Sequence, residues 1–174
     1  SGTSGKPVTI YLTRADLERL AENEKASFEL TGAKAGDIFQ LMTTIDKQFM
    51  AGLAYYLGVQ ALKAGMIRIG PGVPALQWES ILKNKPTIPI AVPSFIINLI
   101  DYAKQHDIDF KESSVKSIIC IGEPIREDDL TYNILGKRIT DEWDVELFST
   151  YASTELGAAF TECKAHQGCH LNEE

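Results

Sequence analysis

The sequence feature that most constrains the fold is a regular alternation between short apolar runs and longer segments of helical period. The clearest run, VKSIICI at 115–121, is rich in β-branched residues and is followed at once by Gly122 and Pro124, which interrupt a strand. Parallel strands need a crossover between them, and that crossover is usually a helix. We therefore predict an α/β fold: a mainly parallel sheet in a three-layer arrangement, with helices on both faces.

The same patterns assign the other elements. Helices are predicted at residues 13–30, 46–64, 75–82, 94–106 and near 127–135, and strands at 37–43, 66–69, 88–92, 115–121 and 145–150. Thr13 is a suitable N-cap for the first helix, and Asp16 suits its first turn. The chain contains neither an internal repeat nor a low-complexity linker, so residues 1–174 are predicted to form a single domain.

Charge and apolar content argue against two classes of partner. The formal net charge is −7, whereas a nucleic-acid backbone or an anionic membrane selects a basic surface. The longest apolar stretch, residues 88–100, is broken by Pro89, Pro93 and Asn98 and falls short of the roughly 20 residues of a membrane span. We therefore expect a soluble protein that binds neither nucleic acid nor membrane. The sequence leaves a homodimer open.

Cysteine usage and the chain ends bear on localisation. Three cysteines do not make a disulfide framework in a chain of 174 residues, and the first residues show no signal-peptide pattern, so a cytoplasmic location is expected. The chain begins at Ser1 without a Met and stops after Glu174 without a recognisable tail. We expect both ends to be cut from a longer polypeptide.

Three loops carry the most unusual residues, at 1–7, 122–124 and 151–155. In open parallel sheets, ligands bind beyond the carboxyl ends of the strands, where such loops lie. The first loop, SGTSGKP, combines glycines that expose backbone N–H groups with the hydroxyls of Thr3 and Ser4 and the charge of Lys6, which suits a polyphosphate. It is not a Walker A loop, because its glycine spacing is too short and a Pro follows the Lys. A flexible Gly/Ser linker is the alternative.

Together, the three loops resemble those of the adenylate-forming enzymes, a superfamily that includes acyl-CoA ligases and luciferases. SGTSGKP resembles their phosphate loop, IGEP at 121–124 their adenine-site turn, and YASTE at 151–155 their Tyr-Gly-x-Thr/Ser-Glu motif. VPSF at 92–95, the IGEP turn and the ending HLNEE resemble the phenylacetate–CoA ligase branch. The resemblance covers essentially the whole chain and implies the nucleotide-binding core of the large N-terminal domain. The family's ribose-binding Asp and its C-terminal domain with the catalytic Lys would lie beyond this chain, which alone would bind nucleotide weakly and catalyse poorly.

The resemblance implies a role for each loop. Lys6 and its neighbours would surround the β- and γ-phosphates of ATP, and Tyr151 would stack on an adenine lined by residues 122–124. Thr154 would hydrogen-bond the α-phosphate and Glu155 would hold Mg²⁺, so Lys6, Thr154 and Glu155 are the implied catalytic residues. The implied ATP- and AMP-binding residues are Ser1, Thr3, Ser4, Gly5, Lys6, Gly122, Glu123, Pro124, Tyr151, Ala152, Ser153, Thr154 and Glu155. Ala152 stands where the family usually has Gly.

The implied reaction activates a carboxylic acid, and an aryl acid such as phenylacetate is expected. The carboxylate attacks the α-phosphorus of ATP to give an acyl-adenylate and pyrophosphate, and the thiol of coenzyme A then displaces AMP. Because the carboxylate is itself the nucleophile, the protein supplies alignment and charge rather than a Ser or Cys nucleophile. Two alternatives stay open: transfer to a different acceptor, such as an amine or a deazaflavin, and a catalytically silent nucleotide-binding module.

Two aromatic residues are candidates for the acid pocket. Phe49 matches a position where phenylacetate ligases carry an aromatic residue, and Phe95 follows the VPS turn. An aromatic residue at helical spacing is more often part of the core, so core packing is the alternative for both.

A cluster near the end of the chain predicts a structural zinc site. Cys163, His166, Cys169 and His170 fall within eight residues, and thiolate with imidazole is the ligand set that Zn²⁺ favours. The spacing is tighter than in zinc knuckles, and the adjacent Cys169 and His170 have difficulty reaching one ion. The alternatives are a polar loop with reduced thiols, and a His170 that faces the active site.

Overall fold

A computed structural model describes residues 9–46 and 48–170, which form a seven-stranded sheet flanked by helices. The strands are β1 (Ile38–Leu41), β2 (Gly65–Arg68), β3 (Ile88–Ala91), β4 (Ser117–Cys120), β5 (Glu146–Ser153), β6 (Ala158–Glu162) and β7 (Cys169–His170). The helices are α1 (Arg14–Leu30), α2 (Met50–Ala61), α3 (Pro74–Asn84), α4 (Pro93–Gln105) and α5 (Ile134–Glu142). No helix in the described ranges is long and apolar enough to cross a membrane.

The sheet is parallel over most of its width. Its strand order is β2-β1-β3-β4-β5-β6-β7, and the pairs from β2 to β5 are all parallel. Strands β5, β6 and β7 follow one another as antiparallel neighbours at one edge. The predicted mainly parallel sheet is therefore confirmed.

Helices cover both faces of the sheet because successive residues of each strand point to opposite sides. In β4, Ile119 belongs to a buried cluster with residues of α1 and α2, whereas Ile118 and Cys120 belong to a second cluster with residues of α3, α4 and α5. The first cluster is built around Phe28 and Phe39, whose rings lie 5.0 Å apart. These two cores confirm the predicted three-layer α/β fold.

Helix α1 begins where the sequence predicts. The Thr13 hydroxyl accepts a hydrogen bond from the Asp16 backbone N–H at 3.3 Å, and the Asp16 carboxylate accepts one from the Thr13 backbone N–H at 2.8 Å. This capping box satisfies backbone donors that the first turn of a helix otherwise leaves without a partner.

The helix predicted near residues 127–135 is wrong. The segment before residue 134 forms turns closed by an antiparallel bridge between Arg126 and Tyr132, and α5 starts only after Asn133. The Asp129 carboxylate accepts hydrogen bonds from the backbone N–H and hydroxyl of Thr131, at 3.0 and 2.6 Å. Such local bonds compete with a helix, so Asp129 stabilises a turn in place of the predicted helix.

Strand β5 extends further than the sequence predicts. Residues 151–153 were expected just beyond a strand ending at 150, but they lie within β5, which pairs with β6 from Thr150 opposite Thr161 to Ser153 opposite Ala158. Strands β6 and β7 were not predicted. Their sequences, AAFTE and CH, are too short and too polar to show the strand pattern.

Helices α1 and α2 approach each other closely at Gly58. A Cβ atom placed on Gly58 would lie 2.4 Å from Cβ of Glu24 and 3.0 Å from its backbone carbon. Glycine is therefore required at this position for contact with α1, although it weakens an isolated helix.

We predict that Gly58→Ala lowers the free energy of unfolding by about 1–3 kcal/mol, because the added methyl group forces the two helices apart. An exposed Gly→Ala change in a helix would instead stabilise by up to about 1 kcal/mol. Urea denaturation provides the measurement, with Gln60→Ala, an exposed change on the same helix, as the control. A stabilised Gly58→Ala protein would contradict the close approach.

Candidate nucleotide and acid site

A cleft of about 420 Å³ lies where β4 ends and its parallel neighbour β5 continues. Gly122, Glu123 and Pro124 form one wall, and residues 149–152 form the other. Gly122 has a φ of +76°, a conformation that favours glycine and turns the chain sharply away from the sheet. Tyr151 is 63% exposed, with its ring centroid 6.2 Å from that of Phe160. The structure therefore brings together the two loops predicted to hold adenine.

The loop of residues 122–124 is held from two sides. The Glu123 carboxylate accepts hydrogen bonds from the backbone N–H and the hydroxyl of Ser94, both at 2.9 Å. Ser94 lies in the first turn of α4, where a negative charge interacts favourably with the helix dipole. On the other side, Asn133 donates its side-chain amide to the Pro124 carbonyl at 2.8 Å. The VPSF and IGEP segments are therefore in direct contact.

The buried carboxylate of Glu162, in β6, joins the same loop to strands β5 and β6. Arg126 donates from Nε and Nη2 to its two oxygens, at 2.5 and 3.1 Å. The backbone N–H of Ser149 in β5 donates to the same carboxylate at 3.1 Å. Although burial alone disfavours the charged guanidinium, the hydrogen bond and charge of Glu162 raise the pKa of Arg126. A bidentate pair of this kind fixes orientation as well as distance.

The turn of residues 154–157 carries the two residues predicted to contact phosphate and Mg²⁺. The Ser153 hydroxyl donates to the Glu155 carboxylate at 2.7 Å, and this bond holds the pKa of Glu155 below its usual value. Glu155 is exposed and ionised at neutral pH. The turn is tied to α1, because Arg19 donates to the Gly157 carbonyl at 2.9 Å.

A second cavity, of about 230 Å³, adjoins the cleft and shares Gly122, Thr150 and Ala152 with it. Its other walls come from α1, α2 and the ends of β3 and β4, and they are mostly apolar. Phe49 lines this cavity, whereas Phe95 packs against the core on the α3, α4 and α5 side of the sheet. Thus only one of the two aromatic residues proposed for the acid pocket reaches the cavity next to the cleft.

Glu24 is the unusual residue in this second cavity. Its side chain lines the cavity, only 3% of the residue is exposed, and its Oε2 has no hydrogen-bond partner among the described residues. Burial raises the pKa of Glu24 to about 8. The protonated form therefore predominates at neutral pH. Burial and the neighbouring Glu24 charge also raise the pKa of Tyr55, another residue of the cavity wall.

The geometry gives no support to the predicted zinc site. His166 points its two ring nitrogens at the carboxylates of Glu162 and Glu146, at 3.2 and 3.3 Å. Desolvation, together with the charge of Glu162, raises the pKa of the Cys169 thiol and disfavours the thiolate that zinc requires. Within residues 9–46 and 48–170, no three His, Cys, Asp or Glu side chains are placed to hold a metal ion. Cys163, Cys169 and His170 thus belong to a polar segment with free thiols.

Several predicted positions fall outside the described residues. They are Ser1, Thr3, Ser4, Gly5 and Lys6 of the predicted phosphate loop, together with the last four residues of the HLNEE ending. Their roles stay predictions.

The profile of a family described as AMP-binding enzyme matches residues 1–173. The chain belongs to this family. Over 156 residues it is 27% identical to a phenylacetate-coenzyme A ligase of Pseudomonas putida, with 90% of this chain and 34% of that protein covered. The chain spans about a third of the length of such relatives.

Solved structures of CoA ligases share the fold of this chain. An open conformation of 2-hydroxyisobutyryl-CoA ligase, in complex with 2-HIB-AMP and CoA, matches with a TM-score of 0.80 at 21% identity, covering 97% of this chain and 39% of that one. An o-succinylbenzoate coenzyme A synthetase from Bacillus subtilis, in complex with AMP, matches with a TM-score of 0.69 at 18% identity, covering 95% and 38%. The predicted α/β class of the adenylate-forming enzymes is therefore confirmed.

Sequence reasoning missed four residues that position the site. Ser94 and Asn133 hold the loop of residues 122–124, and Glu162 joins that loop to β5. Glu24 enters the cavity wall from α1. The available signal for Ser94 was its place in VPSF directly after a strand. For Glu24 and Glu162 the sequence offered no such signal, because the burial of each side chain depends on contacts with residues far away in the chain.

We predict that Glu162→Gln lowers the free energy of unfolding by about 3 kcal/mol, because Arg126 then lies buried without a counter-charge. Glu146→Gln is the matched control: it also loses a carboxylate beside His166, but its side chain is 40% exposed, so the loss should stay below about 1 kcal/mol. Urea denaturation of the two variants and of the unaltered protein measures both losses in the free energy of unfolding. Equal losses in the two variants would show that the Arg126 pair does not matter.

Proposed function

We propose that the chain forms the nucleotide- and acid-binding core of an AMP-forming acid–CoA ligase. The observation that carries this proposal is the junction between the two cavities. The cleft beside Tyr151 suits a purine, because one wall is an exposed aromatic ring and the other is the backbone of residues 122–124. The adjoining apolar cavity suits the organic part of a carboxylic acid. An acid and a nucleotide bound in this way meet near Gly122 and Ala152.

The residues at the junction align the two reactants. Thr154 lines the acid cavity, which adjoins the cleft, and its hydroxyl is expected to donate to an oxygen of the α-phosphate. Lys6, with Thr3, Ser4 and Gly5, is expected to hold the β- and γ-phosphates. The acid carboxylate attacks the α-phosphorus, the bond to the bridging oxygen breaks, and pyrophosphate leaves. Holding both reactants in line replaces the need for a protein nucleophile.

The residues present fit a magnesium ion shared with phosphate. Glu155 is exposed on the turn next to Thr154, and the hydrogen bond from Ser153 favours its ionised form. One carboxylate together with phosphate oxygens is a ligand set that Mg²⁺ commonly has. When bound, Mg²⁺ would offset negative charge on the departing pyrophosphate.

Coenzyme A is the proposed acceptor. In the second half-reaction its thiol sulfur attacks the acyl carbon of the adenylate, and AMP leaves. The names of the relatives support this choice, since both the phenylacetate-coenzyme A ligase and the 2-hydroxyisobutyryl-CoA ligase are CoA ligases. An aryl acid of the phenylacetate type is the proposed substrate class, with Phe49 in the cavity wall.

Acid-dependent pyrophosphate release tests the function directly. The assay uses the longest available polypeptide that contains this chain, with ATP, Mg²⁺ and a panel of aryl and alkyl acids. We expect release with an aryl acid, and thioester formation once coenzyme A is added. Release without a thioester would favour another acceptor, and nucleotide binding without any release would favour a silent module.

We predict that Glu155→Gln lowers the adenylation rate about 100-fold, since the neutral amide offers a poorer ligand for Mg²⁺. The Mg²⁺ concentration needed for half-maximal rate should rise, and the melting temperature should stay unchanged because Glu155 is exposed. Glu127→Gln, which removes an exposed carboxylate elsewhere, is the control. A Glu155→Gln protein that keeps its rate and Mg²⁺ dependence would refute this role.

A further inference from the structure

The buried position of the Glu24 carboxyl group lowers the stability of the folded protein. The group is almost fully buried, it has an oxygen without a hydrogen-bond partner among the described residues, and burial raises its pKa to about 8. Burying an unpaired polar group is unfavourable, whereas a Leu or Met at the same place would fill the space without that cost. The packing of α1 against α2 therefore does not explain why a carboxyl group is present.

The position of Glu24 suggests what compensates for this cost. Glu24 lines the cavity where α1 and α2 meet, together with Tyr55. The opposite side of the cavity is formed by the strand ends at Gly122 and Ala152, next to the nucleotide cleft. An acid that reacts at the strand side must direct the rest of its structure toward the helix side.

We propose that the acid substrate carries a hydrogen-bonding group, a hydroxyl or an amine, at the end remote from its reacting carboxylate, and that Glu24 binds this group. The proposal rests on the proposed function, because it assigns this cavity to the acid. A protonated carboxyl group offers one O–H donor as well as acceptor oxygens, so it can pair with a hydroxyl or an amine. An unsubstituted phenyl ring would leave the carboxyl group desolvated and unpaired.

The test compares kcat/KM for pyrophosphate release between phenylacetate and its 3-hydroxy, 4-hydroxy and 4-amino analogues. We expect the unaltered protein to prefer at least one substituted acid over phenylacetate by about tenfold or more. Glu24→Leu should abolish or reverse this preference, because an apolar wall no longer needs a polar partner. Glu24→Gln should retain a preference for the hydroxy acids, since the amide still donates and accepts.

Controls separate this effect from damage to the fold. Glu29→Leu changes an exposed carboxylate on the same helix and should leave the preference unchanged. If Glu24→Leu fails to fold, the preference of the unaltered protein and that of Glu24→Gln still decide the matter.

The outcomes distinguish this inference from the proposed function. If no acid supports pyrophosphate release, the proposed function itself fails. If release occurs but phenylacetate is preferred, or if Glu24→Leu leaves the ranking of the acids unchanged, the role of Glu24 is overturned while the ligase function stands.

Discussion

The geometry of the cleft between residues 122–124 and 149–152 depends on the hydrogen bonds of the buried Glu162 carboxylate. It binds Arg126, which follows the loop of residues 122–124, and it accepts a hydrogen bond from Ser149, which precedes Tyr151 in β5. Both walls of the cleft are thus fixed to one group. Because Glu162 itself lies in β6, the antiparallel edge of the sheet supports a site at the ends of its parallel strands. A buried charge is costly, but it is bound here by a bidentate partner and a backbone donor.

Two buried carboxyl groups, those of Glu162 and Glu24, therefore have opposite roles in this chain. Glu162 is fully paired, and its bonds hold backbone segments in place. Glu24 has an oxygen left without a partner among the described residues, and the residue belongs to the wall of a cavity. The first arrangement is what structural stability favours. The second is what a binding site favours, since the cost of desolvation is recovered when a ligand supplies the missing hydrogen bond.

The sequence predicted what local patterns determine and missed what distant contacts determine. The run VKSIICI and the cap at Thr13 signal their elements directly. The segments after neighbouring strands were expected at one edge of the sheet, and residues 122–124 and 149–152 do form the two walls of one cleft. The β5–β6 pairing was missed because β6 has only five residues and lacks a clear alternation of apolar and polar residues. A helix was predicted near residues 127–135, but the bonds between Asp129 and Thr131 stabilise a turn there. From the sequence alone Glu24 resembles a surface charge, but it is buried where α1 packs against α2, with its Cβ close to Gly58.

The central claim is that one nucleotide binds between the loop of residues 122–124 and Tyr151. A crystal structure of the protein with AMP tests it most directly. The account predicts an adenine ring stacked on Tyr151 and facing the backbone of Gly122 and Glu123, with the phosphate directed toward Thr154. AMP bound elsewhere, with the ring of Tyr151 uncovered, would contradict it.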